Sequence, residues 1–213
     1  MINPGDTILF QGDSITDVGR SREDAAANSS GALGRGYPLL VASQLLHEQA
    51  EDDLEFYNRG NSGNRVVDLY ARWKVDAINL APDLISILIG VNDTWHEFGS
   101  RNGVGVERYE TIYRMLLEYT KQRLPAVKLV LCEPFVFQHG AVSKEWLPEI
   151  EGRRAVVRKL ADEFKACFVP FQTALNQALD KAEPTYWTAD GVHPTAAGHN
   201  VLKDAWLKAV LNG

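Results

Sequence analysis

Along the chain, short apolar runs alternate with longer stretches in which apolar positions recur about every 3.6 residues. Thr7 to Gln11, Leu54 to Asn58, Leu84 to Ile89, Lys128 to Cys132 and Phe168 to Phe171 read as strands. Val66, Leu69, Tyr70, Trp73 and Ala77 share one face at helical spacing, as do Tyr109, Ile112, Tyr113, Leu116 and Leu117, so both segments are expected to be amphipathic crossover helices. Thr195 is the expected N-cap of a closing helix whose apolar face is Val201, Leu202, Ala205, Trp206 and Ala209. Strand and helix in alternation predict a parallel sheet, because right-handed crossovers must return over its faces. The expected fold is an α/β three-layer α/β/α sandwich around a five-stranded parallel sheet in the flavodoxin-like order 2-1-3-4-5.

Composition narrows the class. At 213 residues with no internal repeat or low-complexity linker, a single domain spanning 1–213 is expected. The 45% hydrophobic and 23% charged content is that of an ordinary globular protein and excludes disorder, collagen and coiled coil. A formal net charge of -6 without a Lys/Arg run argues against nucleic acid and anionic membrane as partners. The longest apolar stretches fall short of the roughly 18 residues of a bilayer span, and the N-terminus lacks a cationic region followed by an apolar one, so a cytoplasmic location is expected. Cys132 and Cys167 lie in apolar strand-like runs and are expected to be reduced thiols.

In this fold ligands collect outside the carboxyl ends of the strands, at the switch point between the first and third. Three polar, glycine-bearing segments converge there: Gln11 to Thr16, Gly60 to Asn64 and Gly90 to Asp93. Asp190-Gly191-Val192-His193-Pro194, in the loop before the final helix, can reach the same edge. The blocks GDSIT, GNSGN, GVND and DGVHP, in that order and spanning nearly the whole chain, resemble the GDSL, or SGNH, hydrolase family. Ile15 replaces the eponymous leucine, an apolar exchange that leaves the chemistry untouched. GALGRGY, NRGNSGN, IGVNDTW and DGVHPTAAGH together resemble bacterial acetylxylan esterases of that family.

The residues support hydrolase chemistry on physical grounds as well. A serine hydroxyl is a poor nucleophile unless an adjacent base, held in one tautomer, removes its proton. Ser14, His193 and Asp190 can fill these roles, since the Asp190-x-x-His193 spacing puts carboxylate and imidazole on one short loop. Taken singly, His193 also fits a solvated loop histidine and Asp190 a residue capping the helix. Acyl transfer needs donors aimed at the developing oxyanion. The resemblance assigns these to the backbone N–H groups of Ser14 and Gly63 and the side-chain amide of Asn92. Asp13, Asp93 and Asn64 are expected to stabilise their turns.

Other readings fit less well. The nucleophile elbow G-x-S-x-G is absent around both Ser14 and Ser62, and no G-x-x-x-x-G-K-[ST] loop exists. Six residues separate His193 from His199 across a helix start, a poor metal-ligand spacing, so no metal and no cofactor are expected. His199 is expected to pack or cap. Trp95 beside Asn92, and Trp187 with Tyr186 before Asp190, place rings next to the site as candidate contacts for a sugar, or as ordinary core. The expected activity is a serine esterase removing acetyl or other short acyl groups from an acetylated carbohydrate such as xylan. The rivals are a lysophospholipase or thioesterase of the same family and an inactive carbohydrate-binding module. The resemblance also implies a homo-oligomer.

Overall fold

The structure, a computed structural model, describes residues 1–212. In chain order its elements are β1 (Thr7–Gly12), α1 (Ser14–Asp17), α2 (Ser30–Leu33), α3 (Tyr37–Glu48), β2 (Glu55–Asn58), α4 (Val66–Asp76), β3 (Leu84–Leu88) and α5 (Val91–Ser100). There follow α6 (Val106–Arg123), β4 (Lys128–Cys132), α7 (Trp146–Phe164), β5 (Cys167–Val169), α8 (Phe171–Ala178), α9 (Pro184–Trp187) and α10 (Ala196–Asn212). The strands form one sheet in the order β2-β1-β3-β4-β5, every neighbouring pair parallel. The expected order is the observed one.

Strand residues alternate between the two faces, and each face has its own apolar core. Ile8, Phe10, Leu84, Leu88, Val130 and Cys132 pack with Tyr37 and Val41 of α3, Leu175 of α8 and Trp206 of α10. Leu9, Ile85, Ile87, Leu129 and Leu131 pack with Trp73 of α4, Tyr113 and Leu117 of α6 and Val157 of α7. A sheet covered on both faces explains why its central strands β3 and β4 read as largely apolar runs, while the edge strand β2 alternates. Ser86, the polar exception in β3, accepts the Trp206 indole N–H at 2.9 Å.

Three local expectations shift. The last strand stops at Val169 and not Phe171, since Pro170 has no N–H for the ladder and Phe171 opens α8. Tyr70, assigned to the apolar face of its helix, is 38% exposed, while Leu69 and Trp73 carry the burial. Asn92 and Asp93 occupy the first turn of α5, where a polar turn was expected. Cys132 and Cys167 are free thiols, as expected. Among the described residues no helix is long and apolar enough to cross a membrane.

Candidate active site

Ser14 stands where β1 gives way to α1. Asp13 caps that helix, its Oδ1 accepting the Ile15 N–H at 3.0 Å. The loop after β2 is tied to the same junction, Asn61 N–H donating to Gly12 O at 3.0 Å, and it folds into a turn closed by Asn64 N–H to Asn61 O at 3.1 Å. Gly63, third residue of that turn, has φ +82°, as a type II turn requires. A Cβ there would meet nothing within 4 Å, so backbone angle and not crowding makes this position a glycine, and the space beside it is open. After β3, the first turn of α5 carries Asn92, whose Nδ2 donates to Asn64 O at 3.2 Å. Three strand ends thus bring Ser14, Gly63 and Asn92 to one edge.

The fourth segment arrives from the loop between α9 and α10. Ser14 Oγ lies 2.9 Å from His193 Nε2, and His193 Nδ1 lies 2.7 Å from Asp190 Oδ2. The other Asp190 oxygen accepts the backbone N–H groups of Val192 at 3.0 Å and His193 at 2.8 Å. Partial burial pushes the Asp190 carboxyl up, but the His193 ring and these backbone donors outweigh it and hold the group below its ordinary value. An ionised Asp190 keeps the imidazole proton on Nδ1 and leaves the Nε2 lone pair facing the serine hydroxyl. The loop is fixed by a bridge between Thr188 and Pro194 and by Phe137 N–H to Gly191 O and Ala141 N–H to Asp190 O, at 2.8 and 2.9 Å.

Asp13 and Asp93 are buried beside this site, and burial pushes each carboxyl up to about 7. Both Asp93 oxygens accept the Val66 N–H that opens α4, at 3.1 and 3.2 Å. Ser62 is a turn residue, its N–H and hydroxyl both donating to Asp17. His199 caps α3 by accepting the Tyr37 N–H on Nδ1 at 3.2 Å, and burial lowers its pKa to about 4. Trp95 reaches the site, its ring centroid 5.7 Å from that of His193. Trp187 is instead turned into the core, 7% exposed, its indole N–H donating to Ala182 O at 3.0 Å.

Sequence reasoning missed two features. Arg72 of α4 donates to Gln11 Oε1, Gly12 O, Arg59 O and Asn64 Oδ1, clamping the first two strand ends together. It reads as a solvent-facing charge on an amphipathic helix, and no sequence pattern separates it from one. Trp146 packs edge-on against Trp95 at 5.3 Å, and Phe98, 48% exposed, stacks on Trp146 at 6.1 Å. The aromatic character of Trp146 was the available signal, but nothing in the sequence joined it to Trp95.

Residues 10–201 match the GDSL-like Lipase/Acylhydrolase family. The chain is 38% identical to an acetylxylan esterase of Geobacillus stearothermophilus, over 98% of this chain and 95% of that protein. The crystal structure of that enzyme superposes with a TM-score of 0.89 at 37% identity, again over 98% and 95% of the two chains. Two further structures of it are described as catalytic mutants, one replacing a serine and one a histidine by alanine. A GDSL-like lipase from Parabacteroides merdae superposes with a TM-score of 0.95 at 43% identity, over 100% of this chain and 99% of that one. The chain belongs to the GDSL-like lipase/acylhydrolase family and is a carboxylic ester hydrolase.

Proposed function

We propose that this hydrolase is a serine esterase that removes acetyl and other short acyl groups from a carbohydrate, acetylated xylan or xylo-oligosaccharides being the favoured substrates. The observation that carries the serine mechanism is the continuous relay from Ser14 Oγ through His193 to Asp190, at 2.9 and 2.7 Å. In the first half-reaction His193 Nε2 takes the serine proton as Oγ bonds to the acyl carbon. The carbonyl oxygen becomes an anion facing the N–H groups of Ser14 and Gly63 and the Asn92 amide. Collapse of this intermediate breaks the bond to the sugar oxygen, which leaves with the proton from His193. Water, deprotonated by the same nitrogen, then releases acetate and restores Ser14.

The carbohydrate reading draws support from the resemblance to an acetylxylan esterase and from the Trp95 and Phe98 rings. Flat apolar rings suit the C–H faces of a pyranose. On this reading Trp95, its ring 5.7 Å from that of His193 and braced by the buried Trp146, closes over the acyl group and leaves room for little more than a methyl. Each added methylene then displaces packed side chains, at about 1 to 3 kcal/mol. An open channel would gain about 0.8 kcal/mol per methylene instead. Across p-nitrophenyl esters, kcat/KM is expected to fall tenfold or more from acetyl to butyryl and to be negligible at octanoyl, with ready acetate release from acetylated xylan. Activity rising from acetyl through hexanoyl would reject the carbohydrate reading in favour of a lysophospholipase or thioesterase.

A further inference from the structure

Resting on the oxyanion role proposed for Gly63, its N–H must be held at a fixed place beside Ser14. The closing bond of its own turn, Asn64 N–H to Asn61 O at 3.1 Å, fixes the internal shape of the turn. Its place beside Ser14 is set by contacts from outside the turn.

Anchors lie on both sides of Gly63. On the Asn64 side, Arg72 Nε donates to Asn64 Oδ1 at 2.6 Å and Asn92 Nδ2 to Asn64 O at 3.2 Å. On the Ser62 side, one atom, Asp17 Oδ2, accepts both the Ser62 N–H at 3.0 Å and the Ser62 hydroxyl at 2.7 Å. Asp17 is buried, and it lies on α1 three residues after Ser14. The loop is also pressed against α1, since a Cβ at Gly60 would collide with Asp17 N. Burial pushes the Asp17 carboxyl up, but the Ser62 donors, with Arg20 and Arg22 nearby, outweigh it and keep the group below its ordinary value. Nucleophile and donor are thereby referenced to one short helix.

We propose that Asp17 is a positioning residue for the hydrolysis: by gripping Ser62 through both its N–H and its hydroxyl, it holds the turn that carries Gly63 at a fixed place beside Ser14, where the Gly63 N–H supplies an oxyanion donor. Asp17→Ala is expected to lower kcat for p-nitrophenyl acetate about 10²-fold, in the range of losing one such donor, with KM changed less than twofold. Asp17→Asn, which keeps an acceptor oxygen, is expected to recover part of the loss, and Ser62→Ala to lose less than Asp17→Ala.

The deciding readout is the Gly63 amide in a ¹H–¹⁵N spectrum. A short alkyl boronic acid, which forms a tetrahedral adduct on an activated serine, is expected to move that resonance downfield in the wild type and leave it in place in Asp17→Ala. A shift that persists in Asp17→Ala, or a raised KM with kcat preserved, overturns the role of Asp17 and leaves the esterase reading intact. A wild-type Gly63 amide that does not respond to an adduct on Ser14 overturns the oxyanion assignment itself, and the proposal with it. Should Asp17→Ala not fold, Asp17→Asn and Ser62→Ala carry the same test, a retained shift with unchanged kcat in both counting against it.

Discussion

The two flanks of the active site are built in opposite ways. The proposed donor flank, Ser14 with Gly63 and Asn92, sits on the ends of β1, β2 and β3 and is cross-tied by Asn61 to Gly12, Ser62 to Asp17, Asn92 to Asn64 and Arg72 to the first two of these strand ends. The acid–base flank, Asp190 and His193, rides on a loop between two helices, and its side chains are 33% and 40% exposed. The difference follows from the work each does. Donors for an oxyanion act through fixed geometry in a water-poor setting, so they belong on a rigid sheet edge. A base that gains and loses a proton in every half-reaction must tolerate its charged form, which partial hydration and an ionised partner make affordable.

The comparison is broken most severely at the exposed flank. Asp190→Asn preserves size but puts a donor where Nδ1–H needs an acceptor, so the imidazole is held in the wrong tautomer. A fall in kcat of roughly 10⁴ is expected. Steady-state kinetics giving less than a tenfold fall would show that Asp190 does not orient His193. On the donor flank, Asn92→Ala removes one of three donors, and kcat is expected to drop roughly 10² to 10³-fold with little change in KM. A large KM effect with kcat preserved would make Asn92 a ground-state binding residue.

The smallest effect sharpens the same contrast through stability. Asp190 is held below its ordinary pKa, whereas burial raises Asp13 and Asp93 to about 7. For a carboxyl raised on folding, the folded state binds the proton more tightly than the unfolded chain. Its favourable contribution is complete below the unfolded pKa near 4 and is lost as pH rises through about 7. Asp13→Asn stays neutral throughout, so its Tm measured relative to wild type is expected to climb between pH 4 and 8. A difference in Tm that is flat over that range would mean that folding does not shift the Asp13 carboxyl.

How much of this was legible in the sequence depended on whether the signal was local. The five strands follow from apolar runs, which depend on neighbouring residues alone, whereas their order came from the analogy with flavodoxin-like sheets. Ser14, Gly63, Asn92, Asp190 and His193 announced themselves because each lies in a short glycine-bearing block at a strand end or helix start. Trp187 did not resolve, since an aromatic beside a site is equally at home in a core, and only the Ala182 carbonyl waiting for its N–H decides the matter. Arg72 and Asp17 were invisible or unremarkable because their importance lies in partners brought close by the fold: Arg72 joins residues from positions 11 to 64, and Asp17 reaches Ser62 across 45 positions of sequence.

The central claim is that Ser14, activated through His193, carries the acyl group. The most direct test is reaction of the protein with an alkyl fluorophosphonate, followed by intact-mass and peptide mass spectrometry on wild type and His193→Ala. The account predicts one adduct per chain, on the peptide containing Ser14, forming rapidly in the wild type and at least 10³-fold more slowly in His193→Ala. An adduct on Ser62, or labelling of Ser14 at the same rate without His193, would contradict it.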